Sequence, residues 1–152
     1  THKKGKSKFK ALAESAGISV EKKLVNPGSD TDGPELIERA GFDGVCRWLD
    51  GVEQLPDLIF FRDDYVARGG LMALLDRGID VPAELQVLTW ANRGFVPIFP
   101  LPLTRLEMDP VSKAEVLVDM VLDTLEHPDK EMETVRNPGP KFIVGKTTRR
   151  IR

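Results

Sequence analysis

The chain has 152 residues, 30% of them charged, and a formal net charge of −2, so it is long enough for one hydrophobic core. This slight acidity argues against a free-standing nucleic-acid binder, which is usually basic as a whole. The single cysteine, Cys46, excludes an intrachain disulfide framework and favours a reducing compartment, so we expect a cytoplasmic protein. No apolar run reaches membrane-spanning length, and the basic first residues do not resemble a signal peptide.

The chain is predicted to begin with a helix over residues 6–16, in which Phe9 and Leu12 face inward and Gly17 ends the helix. The five lysines between residues 3 and 10 are interpreted as a solvated face rather than as a phosphate site. A short strand is predicted at 23–25.

Residues 26–34 read NPGSDTDGP, a composition that indicates a loop. Asp30 and Asp32 resemble part of a calcium loop, but no glutamate follows at the required distance, so we expect solvent rather than a metal. The next helix is predicted over 35–49, and the two glycines inside it are expected to weaken it and could break it in two.

A strand–helix–strand unit forms the centre of the sequence. The run LIFF at 58–61 predicts a buried strand, and a helix is predicted over 64–77 because an apolar stripe ends there at a glycine. The second strand is predicted over 85–90, with apolar residues on both faces as in a covered parallel sheet. The crossover between the two strands is expected to be right-handed.

Polar side chains follow both of these strands, with Arg93 at the end of the second, at the edge where parallel strands open onto a common crevice. The crevice predicts a site for a small polar ligand, and its candidate residues are Arg62, Asp63, Asp64, Trp90 and Asn92. The two aspartates can also cap the following helix; we favour capping for Asp64 and weigh capping and ligand contact equally for Asp63. Trp90 can stack on a ligand or lie in the core.

After these strands comes a proline-rich apolar connection at 94–102, which cannot form a central strand or a helix. A strand at 103–108, a helix that begins at Asp109-Pro110 and runs to about Leu125, and a last strand at 141–145 are predicted next. Acidic residues near His127 lack a fixed ligand spacing, so we predict no metal site there.

The order of these signals resembles the effector-binding domain of the LacI family of bacterial transcription regulators, which shares its fold with periplasmic sugar-binding proteins. The resemblance rests on LIFFRDDYVARGGLMALLDRGIDVP, LQVLTWANRG, PLTRLEMDP and PKFIVGKTTRR. It runs from about residue 6 to residue 150 and covers the second half of the family's sensor. The segment from ANRG to EMDP is similar to the subtype with a GntR-type winged-helix head.

The resemblance implies an α/β fold: a three-layer, parallel-sheet, periplasmic-binding-protein-like lobe. Residues 1–152 would be a partial effector-binding domain, with 6–100 and 141–150 in the C-terminal lobe and 103–127 as an excursion into the N-terminal lobe. The DNA-binding head would lie outside this chain. The family often grips sugar hydroxyls with an acid at the position of Ala91, so a standard sugar site is in doubt.

The resemblance further implies a small polar effector, a sugar or a related metabolite, and a homodimer in which Leu71, Met72 and Leu75 are either core or interface. DNA would be bound only through the absent head, and no cofactor, membrane or catalytic residue is expected. One alternative is a periplasmic-type solute-binding protein, which would need an export signal upstream. A second alternative is a small α/β enzyme that uses Asp63 or Asp64 as a base, but no second catalytic group is evident.

Overall fold

The computed structural model describes residues 10–21, 33–129 and 139–149. The predicted strand at 23–25, the loop aspartates Asp30 and Asp32, and Phe9 lie outside these ranges. The described elements, in chain order, are α1 (residues 10–15), α2 (Pro34–Gly51), β1 (Leu58–Phe61), α3 (Asp64–Asp76), β2 (Gln86–Asn92), β3 (Thr104–Met108), α4 (Pro110–Glu126) and β4 (Lys141–Ile143).

The four strands form one sheet in the order β1-β2-β3-β4. β1, β2 and β3 are parallel, and β4 runs antiparallel to β3. This mixed α/β arrangement confirms the predicted fold class. β3, the strand of the expected excursion at 103–127, is hydrogen-bonded on both sides within the sheet, to β2 and to β4.

α2 and α3 pack against each other at very short range because glycines stand at their contact. A Cβ atom on Gly69 would overlap the main chain of Glu38 and Phe42, and one on Gly41 would overlap Val66. α2 is continuous, so the expectation that its glycines could break it is wrong. Gly41 instead lets the two helices approach each other.

The core is formed by α2, α3, β1, β2 and the segments that flank them. Its buried apolar members include Val45, Phe61, Leu71, Leu74, Val81, Leu85, Val87 and Leu103. Cys46 and Trp48 are partly buried and pack against this cluster. Leu12 is 70% exposed, so the expected inward face of α1 is wrong: nothing in the described part of the chain covers that side chain.

The segment after β4 is fastened to the amino-terminal ends of β2 and β3. The hydroxyl of Thr147, which is fully buried, donates to the carbonyl oxygen of Val87 at 2.8 Å and accepts from the backbone N–H of Thr104 at 2.9 Å. The backbone N–H of Val87 donates in turn to the Thr147 carbonyl oxygen at 2.8 Å. These hydrogen bonds satisfy the buried polar groups and hold the segment after β4 against the sheet.

None of the described helices combines the length and apolarity that a membrane span would need.

We expect Gly69→Ala to destabilise the protein by about 1–3 kcal/mol or more, because the added methyl group must push apart two packed backbones. Urea unfolding followed by circular dichroism measures the change. Gly51→Ala is the matched control, since a Cβ there meets no atom within 4 Å. Equal stability of the two variants would show that α2 and α3 are not packed this closely.

Candidate functional site

The carboxyl-terminal ends of β1, β2 and β3 lie along one edge of the sheet, because the three strands are parallel. Each of these strand ends carries polar side chains: Asp63 and Asp64 follow β1, Asn92 and Arg93 end β2, and Asp109 follows β3. Crevices at this edge are where open α/β sheets bind their ligands. Of the side chains that the sequence singled out, Asp64 and Asn92 are brought into contact.

Two of the predicted site residues are bonded to each other. Asp64 is 8% exposed, and its Oδ2 accepts from the Asn92 side-chain amide at 3.0 Å and from the Asn92 backbone N–H at 3.4 Å. These hydrogen bonds join the ends of β1 and β2. Asp64 and the Asn92 amide therefore help to hold the ends of the two strands together.

Asp63, and not Asp64, caps α3. Its Oδ1 accepts from the backbone N–H of Val66 at 2.9 Å, and its backbone is extended, with φ −145° and ψ 135°, as an N-cap requires. The favoured assignment of capping to Asp64 is therefore wrong: Asp64 is the first helical residue, and its side chain turns towards β2 instead.

The remaining predicted site residues differ in accessibility. Arg62 is exposed, whereas Trp90 is partly buried within β2. Burial alternates along β2, so Trp90 and Asn92 share one face of the strand and the fully buried Ala91 points to the other. The small side chain of Ala91 therefore has no exposed surface.

A cleft of about 230 Å³ opens beside these residues, where β2 and β3 end and α4 and β4 begin. It is lined by Arg93, Glu107, Asp109, Ser112, Gly139 and Lys141. The sequence placed Arg93 at this edge of the sheet, but none of the six was among the ligand-binding residues predicted from it. The sequence did contain one signal for this cleft: Asp109 comes directly after a predicted strand, as Asp63 does.

Charges in and beside the cleft form a connected row. The guanidinium of Arg93 lies 2.5 Å from Asp109 Oδ2 and 3.7 Å from Glu107 Oε1. Arg105 donates to Glu107 Oε2 at 2.6 and 2.9 Å, and the Glu107 side chain is only 12% exposed. Lys141 is exposed and pairs with no acidic side chain in the described ranges.

Asp109 also caps α4, since its Oδ1 accepts from the backbone N–H groups of Val111 at 3.2 Å and Ser112 at 3.5 Å. Desolvation raises the pKa of Asp109, but the Ser112 hydrogen bond, the Arg93 charge and the Val111 hydrogen bond together hold that pKa below its ordinary value. The carboxylate is therefore ionised at neutral pH.

The lining of the cleft offers hydrogen-bond donors and acceptors that suit a small polar ligand. No metal-binding group of three His, Cys, Asp or Glu side chains occurs among the described residues.

A model of the periplasmic binding protein-like domain matches residues 2–148, nearly the whole chain. The chain belongs to this family. Among its relatives, a protein named HTH-type transcriptional repressor PurR from Mannheimia succiniciproducens is 25% identical over 145 residues. That alignment covers 94% of this chain but 40% of the relative, so the periplasmic binding protein-like domain described here spans less than half of such a regulator.

Solved structures agree on the fold. A LacI family transcriptional regulator from Bifidobacterium animalis superposes with a TM-score of 0.75 at 20% identity, covering 94% of this chain and 48% of that one. A LacI family regulator from Enterococcus faecium with bound ribose gives a TM-score of 0.63 at 20% identity, covering 76% and 41%. The resemblance to the LacI effector-binding domain is confirmed, while the GntR-headed subtype stays a prediction.

We expect Asp63→Ala to lower the free energy of unfolding by about 0.5–2 kcal/mol, the usual cost of losing an N-cap. Asp63→Asn should stay close to the parent, because asparagine caps equally well. Urea titration of the three proteins measures this. If Asp63→Asn were as unstable as Asp63→Ala, the carboxylate charge rather than the cap would be the stabilising feature.

The stabilisation provided by the ionised Asp109 should disappear in acid. Because its pKa is lower in the folded than in the unfolded chain, the contribution is fully present above the ordinary value of 3.8 and is lost as pH falls through the folded pKa. Urea unfolding of the parent and of Asp109→Asn at a series of pH values measures it: the stability gap should be largest near neutrality and shrink below about pH 4. A gap that does not change with pH would contradict this.

Proposed function

We propose that this chain is the second half of the effector-sensing domain of a LacI-type DNA-binding transcription regulator, and that the cleft binds its effector. The observation that supports this most directly is the cleft itself, at the carboxyl-terminal edge of the parallel strands, lined by Arg93, Glu107, Asp109, Ser112 and Lys141. Relatives named as transcription regulators support the same function. The protein would act in the cytoplasm, and a DNA-binding head outside this chain would contact the operator.

The exposed face of α4 supports a second lobe. No residue of α4 is buried, and an apolar groove of about 220 Å³ is lined by Leu117, Val118, Val121 and Leu122. Exposed apolar surface of this kind marks a contact site. We propose that residues after Met108 form the excursion and that α4 packs on the N-terminal lobe of the longer regulator, so the cleft is one wall of a two-lobed site.

The proposed homodimer would use the outer face of α3. Met72 is 56% and Leu75 is 42% exposed, which fits an interface, whereas Leu71 is 1% exposed and belongs to the core. Of the three residues that were expected to be either core or interface, Leu71 is therefore a core residue, and Met72 and Leu75 stay candidates for the interface. We therefore propose Met72 and Leu75 as dimer contacts and leave Leu71 out.

The effector would be a small polar molecule. Two solved structures of LacI family regulators contain bound ribose and bound sucrose, so sugars are the first class to test. At Ala91, however, this chain lacks the acidic side chain with which the family commonly binds sugar hydroxyls. Charged groups of the cleft could instead recognise a polar or ionised metabolite. The enzyme alternative has no observation in its favour, since Asp63 is engaged as a cap and Asp64 as the partner of Asn92.

Ligand-dependent stabilisation of the full-length regulator tests the proposal. Ribose, sucrose, sugar phosphates and organic acids would be screened by differential scanning fluorimetry, and each hit titrated by calorimetry. We expect at least one compound to raise the melting temperature. Lys141→Gln should then weaken its binding about tenfold or more, the value of a hydrogen bond to a charged group.

Lys146→Gln is the matched control, because Lys146 is also an exposed lysine but lies near the amino-terminal ends of the strands. It should bind the compound as the parent does. A compound that binds equally well to all three proteins would place the effector elsewhere, and the absence of any stabilising compound would count against effector sensing.

A further inference from the structure

We propose that the effector carries one negatively charged group close to a hydroxyl group, as a sugar acid or a sugar phosphate does, and that Lys141 selects for that charge. This inference rests on the proposed function, because it names the class of molecule that the cleft binds. It goes further in requiring an anion, since a neutral sugar would equally satisfy effector sensing.

The register of the sheet sets the charged side chains of the cleft on one face. Glu107 lies opposite Ala91 of β2 and opposite Lys141 of β4, and residues opposite each other in neighbouring strands project from the same side of a sheet. Arg93 and Asp109 come two residues after Ala91 and Glu107, so they project from that side as well. The separation of 3.7 Å between Arg93 and Glu107 agrees with this placement.

Both carboxylates of the cleft are already engaged within the protein. Oδ2 of Asp109 accepts from Arg93, and its Oδ1 accepts from the first N–H groups of α4. Oε2 of Glu107 accepts two hydrogen bonds from Arg105, at 2.6 and 2.9 Å. Neither carboxylate is therefore left as an unpaired negative charge that would repel an anion.

Lys141 is the cation that this network leaves over. A carboxylate directly opposite a lysine in a sheet favours pairing with it, but the Glu107 carboxylate is bound by Arg105 instead, and Lys141 forms no ion pair with an acidic side chain of the described ranges. Three cations, Arg93, Arg105 and Lys141, thus meet two carboxylates, Glu107 and Asp109, in and beside the cleft. An anionic group of a ligand would neutralise the remaining positive charge.

The charges at the end of β1 do not alter this balance. Asp63 is held as the cap of α3 and Asp64 is bonded to Asn92, and neither carboxylate lines the cleft. Arg62, which is exposed, adds a further cation at the same edge of the sheet. The excess of positive charge is therefore local to the side of the cleft that β3 and β4 form.

The second carboxylate oxygen of Glu107 provides an acceptor beside this cation. Its Oε1 lies 3.7 Å from the Arg93 guanidinium, which is too long for a hydrogen bond, and it accepts from no donor in the described residues. In the described chain the buried side-chain atom without a partner is Nε of Arg68, so Oε1 of Glu107 keeps contact with solvent. A hydroxyl group of a ligand can donate to Oε1 while Lys141, on the neighbouring strand, binds the anion.

Matched series of probes test the charge requirement in the full-length protein. Ribose, ribonate and ribose 5-phosphate differ in charge on a common skeleton, as do glucose, glucuronate and glucose 6-phosphate. Calorimetry measures the dissociation constant of each probe. We expect an anion to bind about tenfold or more tightly than the neutral sugar of its series, the value of a hydrogen bond to a charged group. The carboxylate and phosphate members show which anion the cleft prefers.

Lys141→Gln is the informative variant, because it removes the charge at an exposed position and keeps a polar side chain. It should weaken binding of the anion about tenfold or more, leave binding of the neutral sugar nearly unchanged, and so remove the preference. Lys141→Arg keeps the charge and should retain most of the affinity. Lys146→Gln, at the other edge of the sheet, should keep the full preference. Circular dichroism verifies that each variant is folded.

Salt provides a second measure of the same contact. At a salt concentration of about 1 M, where charges are screened over about 3 Å, binding of the anion should weaken markedly, because Lys141 is exposed. Binding of a neutral sugar should change little. An anion whose dissociation constant does not respond to salt would contradict a contact with this ammonium group.

A neutral sugar that binds as tightly as its acid and its phosphate would overturn this inference while supporting effector sensing. An anion whose affinity is the same in Lys141→Gln as in the parent would overturn it too. Absence of binding by all six probes would count against a sugar-derived anion, whereas the broader ligand screen decides separately whether the protein senses an effector at all.

Discussion

The parallel pairing of β1, β2 and β3 is the constraint on which the site depends. Parallel strands must all end at the same edge, so the turns that follow them are brought together although they are distant in the sequence. The register sets Asn92 beside Met108, which places Arg93 next to Asp109. A slip of one residue would turn these side chains to the opposite face of the sheet and separate the charges.

The turns after β1 and β3 solve the same problem with the same residue type. Each leads directly into a helix whose first N–H groups lack partners, and each supplies an aspartate that accepts from them: Asp63 for α3 and Asp109 for α4. β2 is followed by no helix, so its end leaves Arg93 free to interact with a neighbour. Both caps thus use a carboxylate, of which the sequence offered only Asp63 as a possible ligand contact, and the uncapped strand supplies the cation of the cleft.

Local patterns made the elements predictable, whereas contacts between distant segments did not follow from them. The apolar run before Arg62 and the Asp-Pro at residues 109–110 predicted β1 and α4 because strand burial and helix starts have local signatures. Glu107 and Lys141 meet only after β4 has paired with β3, and nothing local marks either residue as part of a cleft. Gly41 was misread for the same reason: its low helix propensity is a local property, while its contact with α3 is not.

The two parts of the described chain differ in what holds them. Buried apolar residues of α2, α3, β1 and β2 fix the sheet and its covering helices in one arrangement, since moving them would open a close-packed core. α4 shares in none of this burial, and its apolar side chains face outward. α4 begins at the polar cleft, which Asp109 and Ser112 line, so the proposed second lobe would cover the apolar face of the helix and the cleft together.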